Sequence, residues 1–316
     1  MNDTPYHVPV MPDETIDSLA VDPNGIYVDG TAGGGGHSAL IADRLASGKL
    51  YCIDRDRDAR KVLSSRFADA PNVIVIGGLY GDMAELLAEK GVTSVSGVLL
   101  DIGVSSHQLD DPGRGFSFHN DAPLDMRMGR GPDANDNNAE TAAELVNTLS
   151  WQALAEIFSK YGEEKFSPRV AKAICAAREG SPIETTGRLA EIIASAYPAA
   201  ARRSGHPARQ VFQALRIAVN DELGELDRGL DGAFSLLKPG GRLSVITFHS
   251  LEDRMVKRRM AEWARGCTCP PDCPVCICGN LPKAVPLNKK PLEPSEDELE
   301  SNPRSRSAKL RTIVKL

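Results

Sequence analysis

Two rhythms of apolar and polar positions alternate along the chain. Short, unbroken apolar runs lie at 26–29, 50–54, 73–76, 98–101 and 243–248, each bounded by Gly, Asp, Asn or similar turn residues. Such runs suit strands of a parallel sheet covered on both faces. Stretches with helical spacing separate the first four, as right-handed crossovers between parallel strands require. After Asp101 the rhythm breaks. Residues 103–137 are rich in Gly, Asp, Asn and Pro and read as loop. Residues 139–200 read as several helices, with Trp151, Leu154, Ile157, Phe158 and Tyr161 on a stripe that suits a helix core. A long helix is predicted from 209 to about 237, ended by Lys238-Pro239-Gly240-Gly241. Residues 289–303, polar and proline-bearing, read as a mobile loop, and 310–316 alternates weakly, as a last strand would. The expected fold is α/β, a doubly wound sheet interrupted by a helical insert after the fourth strand.

Composition narrows the classes. The chain has 316 residues, 41% of them hydrophobic and 25% charged, which fits one large domain or one domain carrying an insertion. No apolar stretch approaches the roughly 18 residues of a membrane span. The start, Met1-Asn2-Asp3-Thr4-Pro5, lacks a signal-peptide core, so a cytoplasmic protein with no membrane partner is expected. A net charge of −6 confines any nucleic-acid surface to local patches. Basic residues do cluster, at Arg202, Arg203, His206, Arg209 and Arg216, at Arg254, Lys257, Arg258 and Arg259, and at Arg304, Arg306, Lys309, Arg311 and Lys315. Each cluster could contact phosphates, and each equally suits a solvated helix face.

The most specific chemistry lies at 26–38. Ile26-Tyr27-Val28 ends in Asp29; Gly30-Thr31-Ala32 and four glycines, Gly33 to Gly36, follow; a helix begins near His37-Ser38. Glycines there let the backbone turn through positive φ and approach a ligand closely. The second predicted strand ends in Asp54, about twenty residues on, where a carboxylate can accept hydrogen bonds from ribose hydroxyls. This describes a nucleoside-binding βαβ unit without saying which nucleoside. Asp29 at the lip of the turn would repel a pyrophosphate and attract an ammonium, which favours S-adenosyl-L-methionine over NAD.

Five of the seven cysteines, Cys267, Cys269, Cys273, Cys276 and Cys278, crowd into twelve residues with three prolines. Cys52 and Cys175 sit in apolar settings and read as small core residues. Structural disulfides are not expected without secretion. The run has enough thiolates for a tetrahedral zinc, but four ligands so close together strain a single site. Zinc and a reduced cysteine-rich loop both stay open there, and no metal is expected among the site residues.

Three further segments follow predicted strands, where open parallel sheets bind ligands. Gly78-Leu79-Tyr80 offers an aromatic that could stack on adenine. Asp101 to Asp110 follows the fourth strand. His249, followed by Ser250 and the acids Glu252 and Asp253, reads as active-site wall.

With these segments in view, the chain resembles the MraW/RsmH family of S-adenosylmethionine-dependent methyltransferases. The resemblance runs nearly end to end: His7-Val8-Pro9-Val10; Asp29-Gly30-Thr31 with Gly33, Gly35, Gly36, His37 and Ser38; Asp54-Arg55-Asp56; and Asp101 to Asp110. It continues with Arg114-Gly115-Phe116-Ser117-Phe118, Leu124-Asp125-Met126-Arg127-Met128, Tyr161-Gly162-Glu163-Glu164 and Phe212-Gln213-Ala214-Leu215-Arg216-Ile217. Ser244 to Arg254 and Asn302-Pro303-Arg304-Ser305-Arg306-Ser307 complete it.

The resemblance implies a Rossmann-like class I methyltransferase sheet over 1–112 and 207–316, with a helical substrate-recognition insert at 113–206. It implies methyl transfer to the N4 amine of a specific cytidine in the decoding region of bacterial 16S ribosomal RNA, within the assembled small subunit. A homodimer is compatible with it. Cofactor contacts are expected from Gly34, Gly35, Gly36, His37, Asp54, Tyr80, Asp101 and Gln108. The family often has Phe where Tyr80 stands. The usual Pro-Pro-aromatic motif of amino-methyltransferases is missing after the fourth strand, and 101–106 takes its place. Asp101 or a nearby backbone carbonyl is the candidate to accept the amine's hydrogen, with His249 and Ser106 as alternatives. Two rivals remain: a nicotinamide-dependent oxidoreductase on the same βαβ unit, and an RNA-binding assembly factor without catalysis.

Overall fold

Residues 9–129, 140–198, 206–270, 275 and 277–316 are described by a computed structural model. Helix α1 (Pro12–Leu19) leads into a regular alternation: β1 (Ile26–Asp29), α2 (Gly36–Ala42), β2 (Lys49–Asp54), α3 (Arg57–Arg66), β3 (Val73–Gly77), α4 (Met83–Ala88) and β4 (Val95–Asp101). Helices follow, α5 (Ser106–Asp110), α6 (Ala142–Thr148), α7 (Trp151–Gly162), α8 (Ser167–Gly180), α9 (Thr186–Ala196), α10 (Ala208–Asn220) and α11 (Glu222–Leu236). The chain ends with β5 (Leu237–Thr247), α12 (Ser250–Trp263), β6 (Ala284–Pro286), α13 (Glu296–Ser301) and β7 (Lys309–Lys315). It divides into two compact units, 1–103 with 224–316, and 104–223.

In the first unit the sheet order is β3-β2-β1-β4-β5-β7-β6. The strands β3, β2, β1, β4 and β5 are parallel, and β7 and β6 join antiparallel at one side. Alternate residues of each parallel strand enter different cores, because side chains alternate across a pleat. Tyr27, Leu50, Cys52 and Leu99 pack with Ile16, Leu19, Ile41 and Leu63 of α1, α2 and α3. Val28, Ile53, Val98 and Leu100 pack with Met83, Leu87, Leu230 and Trp263 of α4, α11 and α12. With helices on both faces the sheet is doubly wound, as the unbroken apolar runs imply.

Helix boundaries change in two predicted segments. The single helix predicted over 209–237 is two, because Asp221 takes a left-handed conformation (φ 48°) that a short acidic residue tolerates. The Asn220 side chain caps the break by donating to the Arg216 carbonyl (2.8 Å). Within the loop expected at 289–303, α13 forms on a Ser295 N-cap with three acids in its first turn. Its Glu298 accepts from the Met11 amide (2.7 Å).

The second unit is helical around Leu154, Phe158, Val170, Ile174, Ile193, Phe212 and Leu215. Trp151, by contrast, lies at the surface with the Lys172 ammonium 4.5 Å above its ring. A polar bracket holds the Met126-Arg127-Met128 backbone, whose Met126 has φ 64°. The Met128 carbonyl accepts from Arg114 Nη2 (2.6 Å) and Gln108 Nε2 (3.2 Å). Asn220 accepts from the Met128 amide (2.7 Å) and donates to the Met126 carbonyl (2.8 Å).

Candidate active site

Parallel strands end on one side of the sheet, so their last residues gather there. In the first unit three of the five parallel strands end in acids, Asp29 on β1, Asp54 on β2 and Asp101 on β4, and Glu252 lies in the first turn of α12 after β5. The turn after β1 reaches α2 through Gly33 (φ 51°) and Gly35 (φ 78°). Gly35 also leaves little room, since a Cβ there would stand 3.0 Å from Leu63 and 3.1 Å from Phe67. The Gly34 carbonyl accepts from Arg66 Nη1 (3.0 Å), and Gly36 lies against Pro9.

Each acid is tied differently. Asp29, expected at the lip of the turn, lies buried beneath it and accepts from the Ser38 hydroxyl (2.6 Å) and the Thr31 amide (3.3 Å). Asp54 accepts from the Gly33 amide (2.7 Å) and the Asp56 amide (2.7 Å), one bond to each oxygen. Its carboxylate thus pins the glycine turn and keeps a second lone pair on each oxygen. Burial pushes both carboxyls up to about 6 despite these bonds.

Asp101 stands apart. Its amide donates to Thr31 Oγ1 (2.6 Å), which joins β4 to the glycine turn. Its Oδ2 lies 3.5 Å from Nδ1 of His37, and the side chain is 14% exposed. Its Oδ1 is buried with no hydrogen-bond partner among the described residues. Burial, then the charges of Asp29 and Glu252, push this carboxyl up to about 8. His37 is fixed from behind, with Nε2 donating to the Val10 carbonyl (2.8 Å).

The remaining candidates are spread. Tyr80 begins a short 3-10 turn after β3; its amide donates to Glu225 (3.1 Å), and its ring packs on Gly229, where a Cβ would meet it at 2.5 Å. Glu225 also pairs with Arg55 (2.9 Å). His249 is the N-cap of α12: Nδ1 accepts from the Glu252 amide (3.4 Å). Its Nε2 lies 2.9 Å from Glu252 Oε1, yet the angle is too poor for a hydrogen bond. Gln108 lies in the second unit, completing the α5 capping box and the bracket on Met128. Ser106 opens α5, and its side chain lies outside the described residues.

Thr31, Ser38 and Glu225 hold candidate residues in place, on Asp101, Asp29 and Tyr80, a role that pattern reading passes over. Thr31 and Ser38 carried a signal, as hydroxyls flanking a glycine turn. Glu225 had none, because nothing in its helix distinguishes it. Several basic residues are spent locally: Arg216 on Glu222 (2.7 Å), Arg259 on Asp227 and Asp231, and Arg311 on Asp253 (2.7 Å). Arg254, Lys257, Arg304 and Arg306 are exposed on the first unit and Arg209 on the second, while Arg202 and Arg203 lie outside the described residues. No helix among the described residues is long and apolar enough to cross a membrane.

The cradle suits a nucleoside bearing cationic groups: glycines in the turn after β1, a carboxylate at the end of β2 on one side, and an unsatisfied acid at the end of β4 on the other. The MraW methylase family matches residues 4–316. "Ribosomal RNA small subunit methyltransferase H" of Symbiobacterium thermophilum is 52% identical over 314 residues, covering 98% of this chain and 97% of that one. The protein of the same name from Heliobacterium modesticaldum is 48% identical over 315 residues, covering 98% and 99%. Among solved structures, a rRNA methylase from Streptococcus thermophilus aligns over 96% of both chains at 12% identity, with a TM-score of 0.42. The family rests on the sequence matches alone.

Proposed function

The chain belongs to the MraW methylase family, and from that premise we propose that it methylates the N4 amine of one cytidine in the decoding region of 16S ribosomal RNA. It is a methyltransferase, and S-adenosylmethionine is its cofactor. The names of its relatives support small-subunit ribosomal RNA as the substrate. The particular amine, and the assembled subunit as substrate, rest on the family resemblance.

The observation that carries the reading is the buried, unpartnered Oδ1 of Asp101 at the end of β4. A buried acceptor without a donor is costly unless a ligand supplies one. S-adenosylmethionine supplies an activated methyl on a cationic sulfonium, together with an ammonium and a ribose. Asp54 is the residue for the ribose hydroxyls, while Gly34, Gly35 and Gly36 let the backbone approach. Asp29 and Glu252 add negative field that favours cationic groups and would repel a pyrophosphate.

The N4 amine is a weak nucleophile because its lone pair conjugates with the ring. Alignment and acceptance of its hydrogen are therefore what the protein contributes. Asp101 accepts that hydrogen as charge develops on nitrogen; a neighbouring cation favours its ionised form, against the upward push of burial. The base must be unstacked to reach such a site.

Mass spectrometry of 16S ribosomal RNA from a strain lacking the gene tests the reading. Loss of one methyl on one cytidine N4, restored by the gene, is expected. An unchanged methylation map would favour the assembly factor, and loss elsewhere would overturn the cytidine assignment.

A further inference from the structure

Between α12 and β6 the chain leaves the sheet and returns to nearly the same point. The Lys283 amide donates to the Trp263 carbonyl (2.8 Å), and Asn280 Nδ2 donates to the carbonyls of Arg265 (3.0 Å) and Gly266 (2.6 Å). The base of this loop is thus closed, yet its described residues bury little. Val275, Ile277 and Leu281 are 69%, 83% and 77% exposed. A loop without a core needs another source of order, as small scaffolds do when they use disulfides or metals.

The sulfurs supply one. Ligand atoms of Cys267, Cys269 and Cys278 all lie within 4.8 Å of one another. Backbone amides are aimed at each. Cys267 accepts from the Cys269 amide (3.4 Å), Cys269 from the Ile277 amide (3.3 Å), and Cys278 from the amides of Thr268 (3.3 Å) and Asn280 (3.4 Å). Two of these bonds run from residue i+2 back to the sulfur of residue i, so the chain folds around its own thiol. After Cys278 this fold uses Gly279 at φ 62°. Amides directed at sulfur stabilise thiolates, the form a metal requires.

We infer that Cys267, Cys269 and Cys278 form a thiolate site for a divalent ion of the zinc class. Zinc accepts a tetrahedron of sulfur ligands at about 2.3 Å, so a modest inward shift of three sulfurs already this close completes three corners. The fourth corner is left to another donor; Cys273 and Cys276 lie outside the described residues. Binding releases the thiol protons and replaces the missing core with three bonds. The site lies on a loop that carries none of the candidate catalytic residues, so its role is to order that loop.

Metal content of the full chain, purified in reductant without chelator from zinc-supplemented cells, tests this. About one zinc per chain is expected, with cobalt substitution giving the intense visible bands of tetrahedral thiolate coordination. Cys267→Ser/Cys269→Ser/Cys278→Ser should fall to background while Cys175→Ser retains the metal, circular dichroism confirming that each variant is folded. Metal-free protein that takes up no added zinc would overturn the inference, as would zinc retained by the triple variant. A disulfide between Cys267 and Cys278 persisting in reductant would overturn it too.

Discussion

Two buried polar clusters in this chain are built in opposite ways. In the second unit Arg114, Gln108 and Asn220 converge on the backbone of Met126 and Met128. Arg114 and Gln108 donate to the Met128 carbonyl, while Asn220 donates to the Met126 carbonyl and accepts from the Met128 amide, so the cluster holds a segment with a left-handed Met126 in place. In the first unit acids converge at the strand ends, and two of them, Asp101 and Glu252, each keep a buried oxygen without a hydrogen bond among the described residues. Burying a polar group costs desolvation in either place. Where its bonds are spent inside the protein the group is scaffold, and where one is withheld the group is available to a ligand.

The largest expected effect tests the withheld bond. Asp101→Asn should slow single-turnover methyl transfer by roughly a hundredfold or more, with a much smaller loss of cofactor affinity. Recovery of the rate at saturating cofactor would move the acceptor to His249 or to a backbone carbonyl of 102–106. The same variant should be more stable than the parent when ligand-free. A carboxyl raised to about 8 in the fold stays protonated while the unfolded chain ionises. Stability from this group is therefore lost as pH rises from about 4 to about 8. Asp29 and Asp54, raised to about 6, add their losses at lower pH, so the decline from 6 to 8 is mainly that of Asp101. Thermal melts at pH 6, 7 and 8 should show that decline in the parent and a flatter profile in the variant.

Asp54→Ala comes next, because its carboxylate is partly spent on Gly33 and Asp56 and partly withheld. Each charge-assisted bond to ribose is worth roughly 1.5–3 kcal/mol, so calorimetry should show cofactor affinity ten- to a hundredfold weaker. An unchanged dissociation constant would make Asp54 scaffold only.

Asn220→Ala probes the spent side. Removing its bonds to Met126, Met128 and Arg216 should destabilise the chain by roughly 1–3 kcal/mol in denaturant unfolding. Cofactor affinity should stay within about twofold of the parent, since the bonds that Asn220 makes all end within the second unit. A loss matching that of Asp54→Ala would erase the distinction between the clusters.

Much of the first unit was legible because its information is local. Short apolar runs ended by Asp29, Asp54 and Asp101 mark both strand and strand end, and the glycines after Asp29 mark the turn. What stayed hidden depends on partners distant in sequence. Asp29 reads as a lip residue until Ser38 is seen to cover it, and His37 is fixed by the Val10 carbonyl from a segment with no strand or turn signal. His249 reads as wall, whereas its cap on α12 follows from the geometry of Glu252. The break between α10 and α11 is a single left-handed residue, Asp221, inside an uninterrupted helical pattern, and no periodicity reports one φ angle.

The place of β7 has a consequence for how the molecule folds. Thr247 of β5 and Lys309 of β7 are neighbours in the sheet but lie 62 positions apart. Closing so long an excursion costs chain entropy before any bond compensates, so this pairing belongs to the slow part of folding. Until it closes, β5 presents Leu243, Val245 and Ile246 along an open edge, a template for any other extended chain. The nascent sheet is therefore open to aggregation along β5 until β7 arrives, and along β4 until the still longer excursion to β5 closes.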